Sequence, residues 1–181
     1  SAAVIGILYN TEKAKPAPTS WKDLARPEYA GHVVLTDISN NWGLLSFLMM
    51  NRVAGGSLDD ISAGLAQVKG ILPGASIVAK SPEIQQAFAQ SDAWVAPYAQ
   101  DYAFTLTKAG LPVKFVQPSE GAAFSPITVN LVAGSKMRDL AIKFIDFSLR
   151  AEASAGWAES FRYSPTNKTA KLSPEAAAGV I

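Results

Sequence analysis

Segments with the hydrophobic periodicity of strands and segments with that of helices alternate along this chain. Short runs of β-branched and apolar residues bounded by turn formers are typical of buried strands. They predict strands at Val4–Tyr9, His32–Thr36, Ala75–Ala79, Ala93–Pro97, Val113–Gln117 and Pro126–Val132. Segments with apolar residues three and four positions apart predict helices at Trp42–Ala54, Leu58–Lys69, Ile84–Gln90 and Gln100–Lys108. This alternation of strands and helices favours an α/β fold.

Capping residues set the expected starts of two of these helices. Ser57 is expected to cap the second helix. Ser81-Pro82-Glu83 combines a capping hydroxyl, a proline suited to the first helical position and an acidic residue for the first turn. The third helix is therefore expected to follow a cap at Ser81.

The last third of the chain contains a further amphipathic helix. Met137, Leu140, Ala141, Phe144 and Ile145 fall on one helical face, with charged residues opposite. We interpret this stripe as a core-facing surface and not as a cofactor-binding segment.

The segment from Pro18 to Asp37 has the most informative local pattern. Pro18 keeps the entering backbone extended, and Ser20 can cap a short turn that carries Trp21. Pro27 ends that turn, because the residue before a proline is driven out of the α region. A β-branched run then leads to the polar pair at Asp37.

The order of these residues resembles a signature of the bacterial solute-binding proteins that feed ABC importers. The matching pattern reads P-x-SW-x-DL-x-x-PEY-x-G from Pro18 to Gly31. Similar matches to the family are found at Tyr9–Lys13, Val113–Gly121, Ala141–Leu149 and Tyr163–Asn167. Together they resemble most closely the polyamine and γ-aminobutyrate branch of the type II binding proteins.

The resemblance implies a periplasmic-binding-protein type II-like fold, in which a mixed sheet is flanked by helices and a ligand is held between two lobes. Residues 1–122 would form the second, ligand-binding lobe with its crossing strands. Residues 123–181 would form the return crossing and the carboxyl-terminal helices of a first lobe whose amino-terminal half is missing from this sequence. Apolar surface would then be exposed, so self-association of this chain is expected.

The resemblance also implies a function, a partner and a location. The protein would capture a small polar or zwitterionic solute, which could be amino-acid-like, γ-aminobutyrate-like or polyamine-related. It would deliver this solute to the membrane permease of an ABC importer. It would be periplasmic, or extracellular and membrane-anchored in a Gram-positive host. A ligand-sensing effector domain of a transcription regulator, which uses the same fold, stays open as the alternative.

Composition and charge exclude several other classes. The 16 basic and 15 acidic residues give a net charge of +1, and the basic residues are scattered, unlike those of nucleic-acid-binding proteins. There are no cysteines, which excludes disulfides and thiolate zinc sites. No apolar run approaches the roughly 18 residues that a membrane helix needs, so no membrane insertion is expected.

Candidate ligand-binding residues follow the strand that ends at Thr36. In α/β sheets, ligands bind beyond the carboxyl ends of strands, where helix amino termini present N–H groups. Asp37 could face an ammonium group or fix the loop. Pure helix capping is the alternative role for the polar residues that follow, and the candidates here are Asp37, Ser39, Asn40, Asn41 and Trp42.

Two further candidate positions lie later in the chain. Tyr98 could stack on a ligand and Asp101 could pair with an amine, where another strand enters a helix. Core packing of Tyr98 and helix capping by Asp101 are the alternatives. Ser125 lies at the return crossing, where the resemblance implies ligand contacts.

The chain departs from the polyamine-binding pattern at two places. Polyamine binders of this family carry W-x-D after the segment EG-x-x-F and an acidic pair after the strand that ends in LTD. Ser125-Pro126-Ile127 and the loop Asp37–Asn41 stand at these positions here. Unpaired ammonium groups in a closed cleft are costly. The sequence therefore favours a small polar or zwitterionic solute over spermidine or putrescine.

Motifs for catalysis are missing from the sequence. His32 is the only histidine and lies at a strand start, without the spacing that metal sites need. No G-x-S-x-G, P-loop or G-x-G-x-x-G occurs. We therefore expect neither enzymatic activity nor a cofactor or metal ion.

Overall fold

The computed structural model describes residues 1–180 and divides the chain into two compact units. The larger unit comprises Val4–Ala123, and the smaller unit combines Ser1–Ala3 with the chain from Phe124 onward. This division lies one position after the predicted boundary and places the first three residues with the carboxyl-terminal part. The assignment of the two units to lobes of a binding protein stays a prediction.

The larger unit is built on a mixed sheet. Five strands follow the order β3-β2-β4-β1-β5, with β2 parallel to β3 and β4, and β1 antiparallel to β4 and β5. A sixth strand, β6, pairs with β1, and these two strands contain the points at which the chain passes between the units. The strands are β1 (Ala2–Asn10), β2 (Val33–Thr36), β3 (Ala75–Val78), β4 (Val95–Ala99), β5 (Val113–Val116) and β6 (Ala123–Pro126).

Helices flank this sheet on both faces, as predicted. Alternate residues of β2 point to opposite sides. Val33 and Leu35 join one apolar cluster with side chains of α1, whereas Val34 joins another with side chains of α3 and α4. The helices of this unit are α1 (Asn41–Val53), α2 (Ser62–Ile71), α3 (Ser81–Ala89) and α4 (Gln100–Lys108), with short 3₁₀ helices at Trp21–Ala25, Pro27–Tyr29 and Leu72–Gly74.

Helices are the main regular elements of the smaller unit over its described residues. Its helices are α5 (Arg138–Ser148), α6 (Ala151–Phe161) and α7 (Pro174–Ala178). The buried Arg162 closes α6, since its guanidinium donates to the Glu159 carbonyl at 2.8 Å and pairs with Glu175 at 2.5 Å. This ion pair attaches α7 to the end of α6.

The apolar stripe of α5 is exposed in this structure. Met137, Leu140 and Phe144 are 59–61% exposed. Helical periodicity identifies an apolar face but not what covers it, and that depends on neighbouring elements. The exposure of this face agrees with the expectation that the chain presents apolar surface.

Strand β4 begins and ends two residues later than predicted. It pairs with β1 from Val95 opposite Tyr9 to Ala99 opposite Ile5, so Pro97 lies inside the strand. Tyr98 therefore belongs to the strand and not to the loop after it. Proline and tyrosine looked like a strand end in the sequence, whereas pairing with β1 extends the strand.

The second helix starts later than predicted. Ser57 does not cap it, since its hydroxyl accepts from the Asp60 N–H in a turn and α2 begins at Ser62. The buried Asn51 of α1 organises this turn. Its side chain donates to the carbonyls of Ser57 at 2.8 Å and Asp60 at 3.1 Å, and accepts from the Gly64 N–H at 2.8 Å.

The predicted strand Pro126–Val132 is also wrong. Strand pairing occurs at Ala123–Pro126, and the following residues are irregular. The alternating apolar residues after Pro126 suggested a strand, but Ile127 and Val129 line a cavity of the smaller unit instead.

Candidate functional site

The carboxyl ends of β2, β3 and β4 form one edge of the sheet, because these strands are parallel in the order β3-β2-β4. The loops after β2 and β3 are joined there. The Asp37 N–H donates to the Val78 carbonyl at 2.8 Å, and Asn40 Nδ2 donates to the Ala79 carbonyl at 3.4 Å. Helices α1, α3 and α4 all begin at this edge, which we call the site edge.

The loop after β2 is fixed by its own side chains. Asn40 is the cap of α1, since its Oδ1 accepts from the Trp42 N–H at 3.0 Å. Asp37 Oδ1 accepts from the Ser39 N–H at 2.8 Å, and these hydrogen bonds from Ser39 lower the pKa of the Asp37 carboxyl. Asp37 therefore carries a negative charge on this loop at neutral pH. Ser39 and Asn41 are exposed beside it.

Helix α1 starts in close contact with the end of β2. A Cβ at Gly43 would collide with the backbone oxygens of Thr36 and Asp37, so glycine is needed there. Thr36 is 7% exposed, and within residues 1–180 its Oγ1 has no hydrogen-bond partner. Buried hydroxyls are normally satisfied, so the unpaired Thr36 Oγ1 beneath this loop is a feature that the sequence analysis missed.

Tyr98 is the centre of the buried layer beneath the site edge. Its hydroxyl lies 2.5 Å from Ser81 Oγ, and Ser81 and the Asn40 side chain both act to lower its pKa. Its ring contacts Trp42 and Tyr102 edge-on, at centroid distances of 6.4 and 5.2 Å. Burial raises the pKa of Tyr98, so the phenol stays neutral. Tyr98 thus contacts Trp42, which follows β2, and Ser81, which follows β3.

Two sequence-based interpretations change as a result. Tyr98 is 1% exposed, so the predicted stacking role has no exposed ring face to support it, and its core-packing alternative describes what is observed. Ser81 is not a helix cap. It is the first residue of α3, its hydroxyl pairs with Tyr98, and its carbonyl accepts from the Tyr102 hydroxyl at 2.6 Å.

Asp101 and Ser125 lie in different units. Asp101 is half-buried in the first turn of α4, and its charge acts on the hydroxyls of both Tyr98 and Tyr102. The capping alternative for Asp101 is wrong, because Ala99 occupies the cap position. Ser125 is buried in β6 and belongs to the smaller unit, so its proposed ligand contact stays a prediction.

His32 lies at the opposite edge of the sheet from the site edge, and its contacts there are with protein groups. Its ring stacks on Trp94 at 3.9 Å with an interplanar angle of 1°, and Nδ1 lies 3.2 Å from the Asp92 carbonyl. Over residues 1–180, no three histidine, aspartate or glutamate side chains are grouped so that they could hold a metal ion.

The helices of the described chain are too short or too polar to cross a membrane.

The smaller unit contains a cavity of about 480 Å³ of its own. Apolar side chains dominate its wall, and they include Ile127, Val129, Phe144, Leu149, Trp157 and Tyr163. None of the side chains that line it is charged, so the site edge is the stronger candidate for a polar solute.

Comparison with known proteins gives a consistent result. The model of the family described as "Bacterial extracellular solute-binding protein" matches residues 1–179. The spermidine/putrescine-binding periplasmic protein of Escherichia coli is 29% identical over an alignment of 181 positions. The alignment covers 97% of this chain and 51% of that protein. The chain thus spans about half the length of the curated relatives it matches.

Solved structures agree in fold. The crystal structure of an ABC transporter from Clostridium perfringens superposes with a TM-score of 0.83 at 27% identity, covering 100% of this chain and 58% of that one. The spermidine/putrescine ABC transporter substrate-binding protein from Streptococcus pneumoniae superposes with a TM-score of 0.73 at 25% identity, covering 97% and 55%. These similarities confirm the predicted type II fold and the family resemblance. The relatives from Escherichia coli and Streptococcus pneumoniae are named as binding proteins.

Proposed function

Because this chain belongs to the bacterial extracellular solute-binding protein family, we propose that it is part of the substrate-binding component of an ABC importer. The whole protein would hold a small solute at the site edge and release it to a membrane permease. It would work in the periplasm or at the outer cell surface. The family match and the polar loops at the site edge support this proposal.

The solute class we propose is a small zwitterion, amino-acid-like or γ-aminobutyrate-like. One observation carries this choice: α1, α3 and α4 begin at the same edge of the sheet. Helix amino termini carry partial positive charge and favour an anionic group, which a polyamine lacks. The carboxylates of Asp37 and Asp101 at the same edge would receive an ammonium group. A ligand with both charges uses both features.

Calorimetric titration of the whole protein with γ-aminobutyrate, alanine, putrescine and spermidine tests the solute class. We expect a zwitterion to bind more tightly than either polyamine. Asp37→Asn should weaken that binding, because it removes a charge at the site edge. Asp92→Asn is the matched control, since Asp92 is exposed next to the amino end of β4. Spermidine binding much more tightly than every zwitterion would contradict the proposal.

We also propose that this 181-residue chain self-associates through its smaller unit. Besides the α5 face, Trp157 and Phe161 are 49% and 50% exposed. Exposed apolar patches larger than a few hundred Å² are uncommon on monomers and promote association. Light scattering after gel filtration should show species larger than the monomer, and Phe144→Ser should reduce them. Val132→Ser is the control, because Val132 is 75% exposed and outside the α5 face. A clean monomer at micromolar concentration would refute this proposal.

A further inference from the structure

The segment that leads out of the larger unit is bound to the Pro18–Gly31 segment. The Ser119 N–H donates to the Thr19 carbonyl at 2.8 Å, and the Trp21 indole Nε1–H donates to the Gly121 carbonyl at 2.8 Å. The Ser20 hydroxyl donates to the Glu120 carboxylate. We call these two three-residue pieces, 19–21 and 119–121, the crossing clamp.

The first half of the clamp is held rigidly. Trp21 is fully buried, and its neighbours form a capping box in which the Asp23 carboxylate accepts from the Ser20 N–H at 3.0 Å. Arg26 pairs with Asp23 at 2.9 Å. The indole N–H and the Ser20 hydroxyl therefore project from a fixed turn, and they can determine where the second half lies.

The second half of the clamp ends at a turn. Gly121 has φ of +101°, and a Cβ there would meet open space. Glycine is thus required by the backbone direction and not by lack of room. Ala123, two residues later, packs against the core of the larger unit, and the chain then leaves this unit at Phe124.

The Glu120 contact is charged at neutral pH. Burial alone would raise the pKa of the Glu120 carboxyl, but hydrogen bonds from Ser20, its own amide and Ser119 outweigh burial and lower it. A hydroxyl that donates to an ionised carboxylate forms a stronger bond than a neutral pair does. This bond reinforces the other two hydrogen bonds of the clamp.

We propose that the crossing clamp is a positioning device that fixes the direction in which the chain leaves the larger unit. Bending between the units is thereby confined to the passage points, Ala3–Val4 and Ala123–Phe124. This inference rests on the proposed function, because a binding protein that closes on its solute needs a defined hinge. Its test needs no ligand, so it can fail independently of the solute class. Trp21 and Gly121 are positioning residues and have no assigned contact with the solute.

Because the chain lacks cysteine, two spin labels can be placed without background labelling. Asp92→Cys in the larger unit and Lys171→Cys in the smaller unit are exposed sites for such a pair. Pulsed electron–electron double resonance on the labelled 181-residue chain, below the concentration of self-association, gives the distribution of distances between the units. We expect Trp21→Phe and Gly121→Ala each to broaden this distribution about twofold.

Two control variants separate hinge loosening from general destabilisation. Trp94→Phe removes an indole from the opposite edge of the sheet. Gly110→Ala places the same strain at φ of +83°, again in open space, after α4. Both controls should keep the parent distribution. If Trp21→Phe fails to fold, Ser20→Ala is the milder clamp variant. Folded clamp variants with the parent distribution, or controls that broaden it equally, would overturn the proposal.

Discussion

Removal of one buried hydroxyl tests whether Tyr98 joins the loops of the site edge. Tyr98→Phe keeps the packed ring but deletes the hydrogen bond between the Tyr98 hydroxyl and Ser81 Oγ. A net hydrogen bond contributes about 0.5–1.5 kcal/mol. Phenylalanine is buried more readily than tyrosine, which offsets part of this loss. We expect the free energy of unfolding of the larger unit to fall by about 0.5–1.5 kcal/mol.

Urea unfolding followed by tryptophan fluorescence measures this change. A Trp157→Phe background leaves Trp21, Trp42 and Trp94, all in the larger unit, as the reporters. Tyr98→Ala should cost more, about 3–5 kcal/mol, because it also empties the space of the ring.

Tyr102→Phe is the matched control for the loss of a phenol hydroxyl. It removes one hydrogen bond from a half-buried ring and should cost about 0.5–1 kcal/mol. The reasoning fails if Tyr98→Phe is as stable as the parent, or if it is as unstable as Tyr98→Ala. The first result would mean that the hydroxyl contributes nothing, and the second that ring packing and hydrogen bonding are inseparable.

Three further predictions concern stability. Asn51→Ala removes three hydrogen bonds to backbone groups and should cost about 2–4 kcal/mol in urea unfolding, with a loss below about 1 kcal/mol contradicting its organising role. Burial raises the pKa of Tyr29, Tyr98 and Tyr102 above the ordinary 10.0. The free energy of unfolding should therefore keep its full value below about pH 10 and decline above it, because the tyrosines of the unfolded chain ionise first. Phenolate absorbance titrations that coincide for the folded and the unfolded chain would refute this. Arg162→Ala should release α7, seen as faster amide exchange there, and unchanged exchange would contradict it.

Local chemistry in the sequence determined several features without help from tertiary structure. The α4 bounds are as predicted, and Ser20 caps its turn as expected. Capping and turn residues act within a few positions of themselves, so their effect can be derived from neighbours in the chain. The ordered motifs likewise identified the family, because they match positions spread along nearly the whole sequence.

Contacts between distant segments could only be seen in the structure. The strand order places Ser81 beside Tyr98, and pairing with β1 moves Tyr98 from a predicted loop into a buried strand. Asn51 replaces the predicted cap at Ser57 by reaching a loop that follows its own helix. Each outcome depends on which hydrogen-bond partner the fold brings close to a backbone or side-chain polar group. The hydrophobic periodicity of a helix specifies which of its faces is apolar. Burial of that face depends on the elements that pack against it, as the exposed stripe of α5 demonstrates.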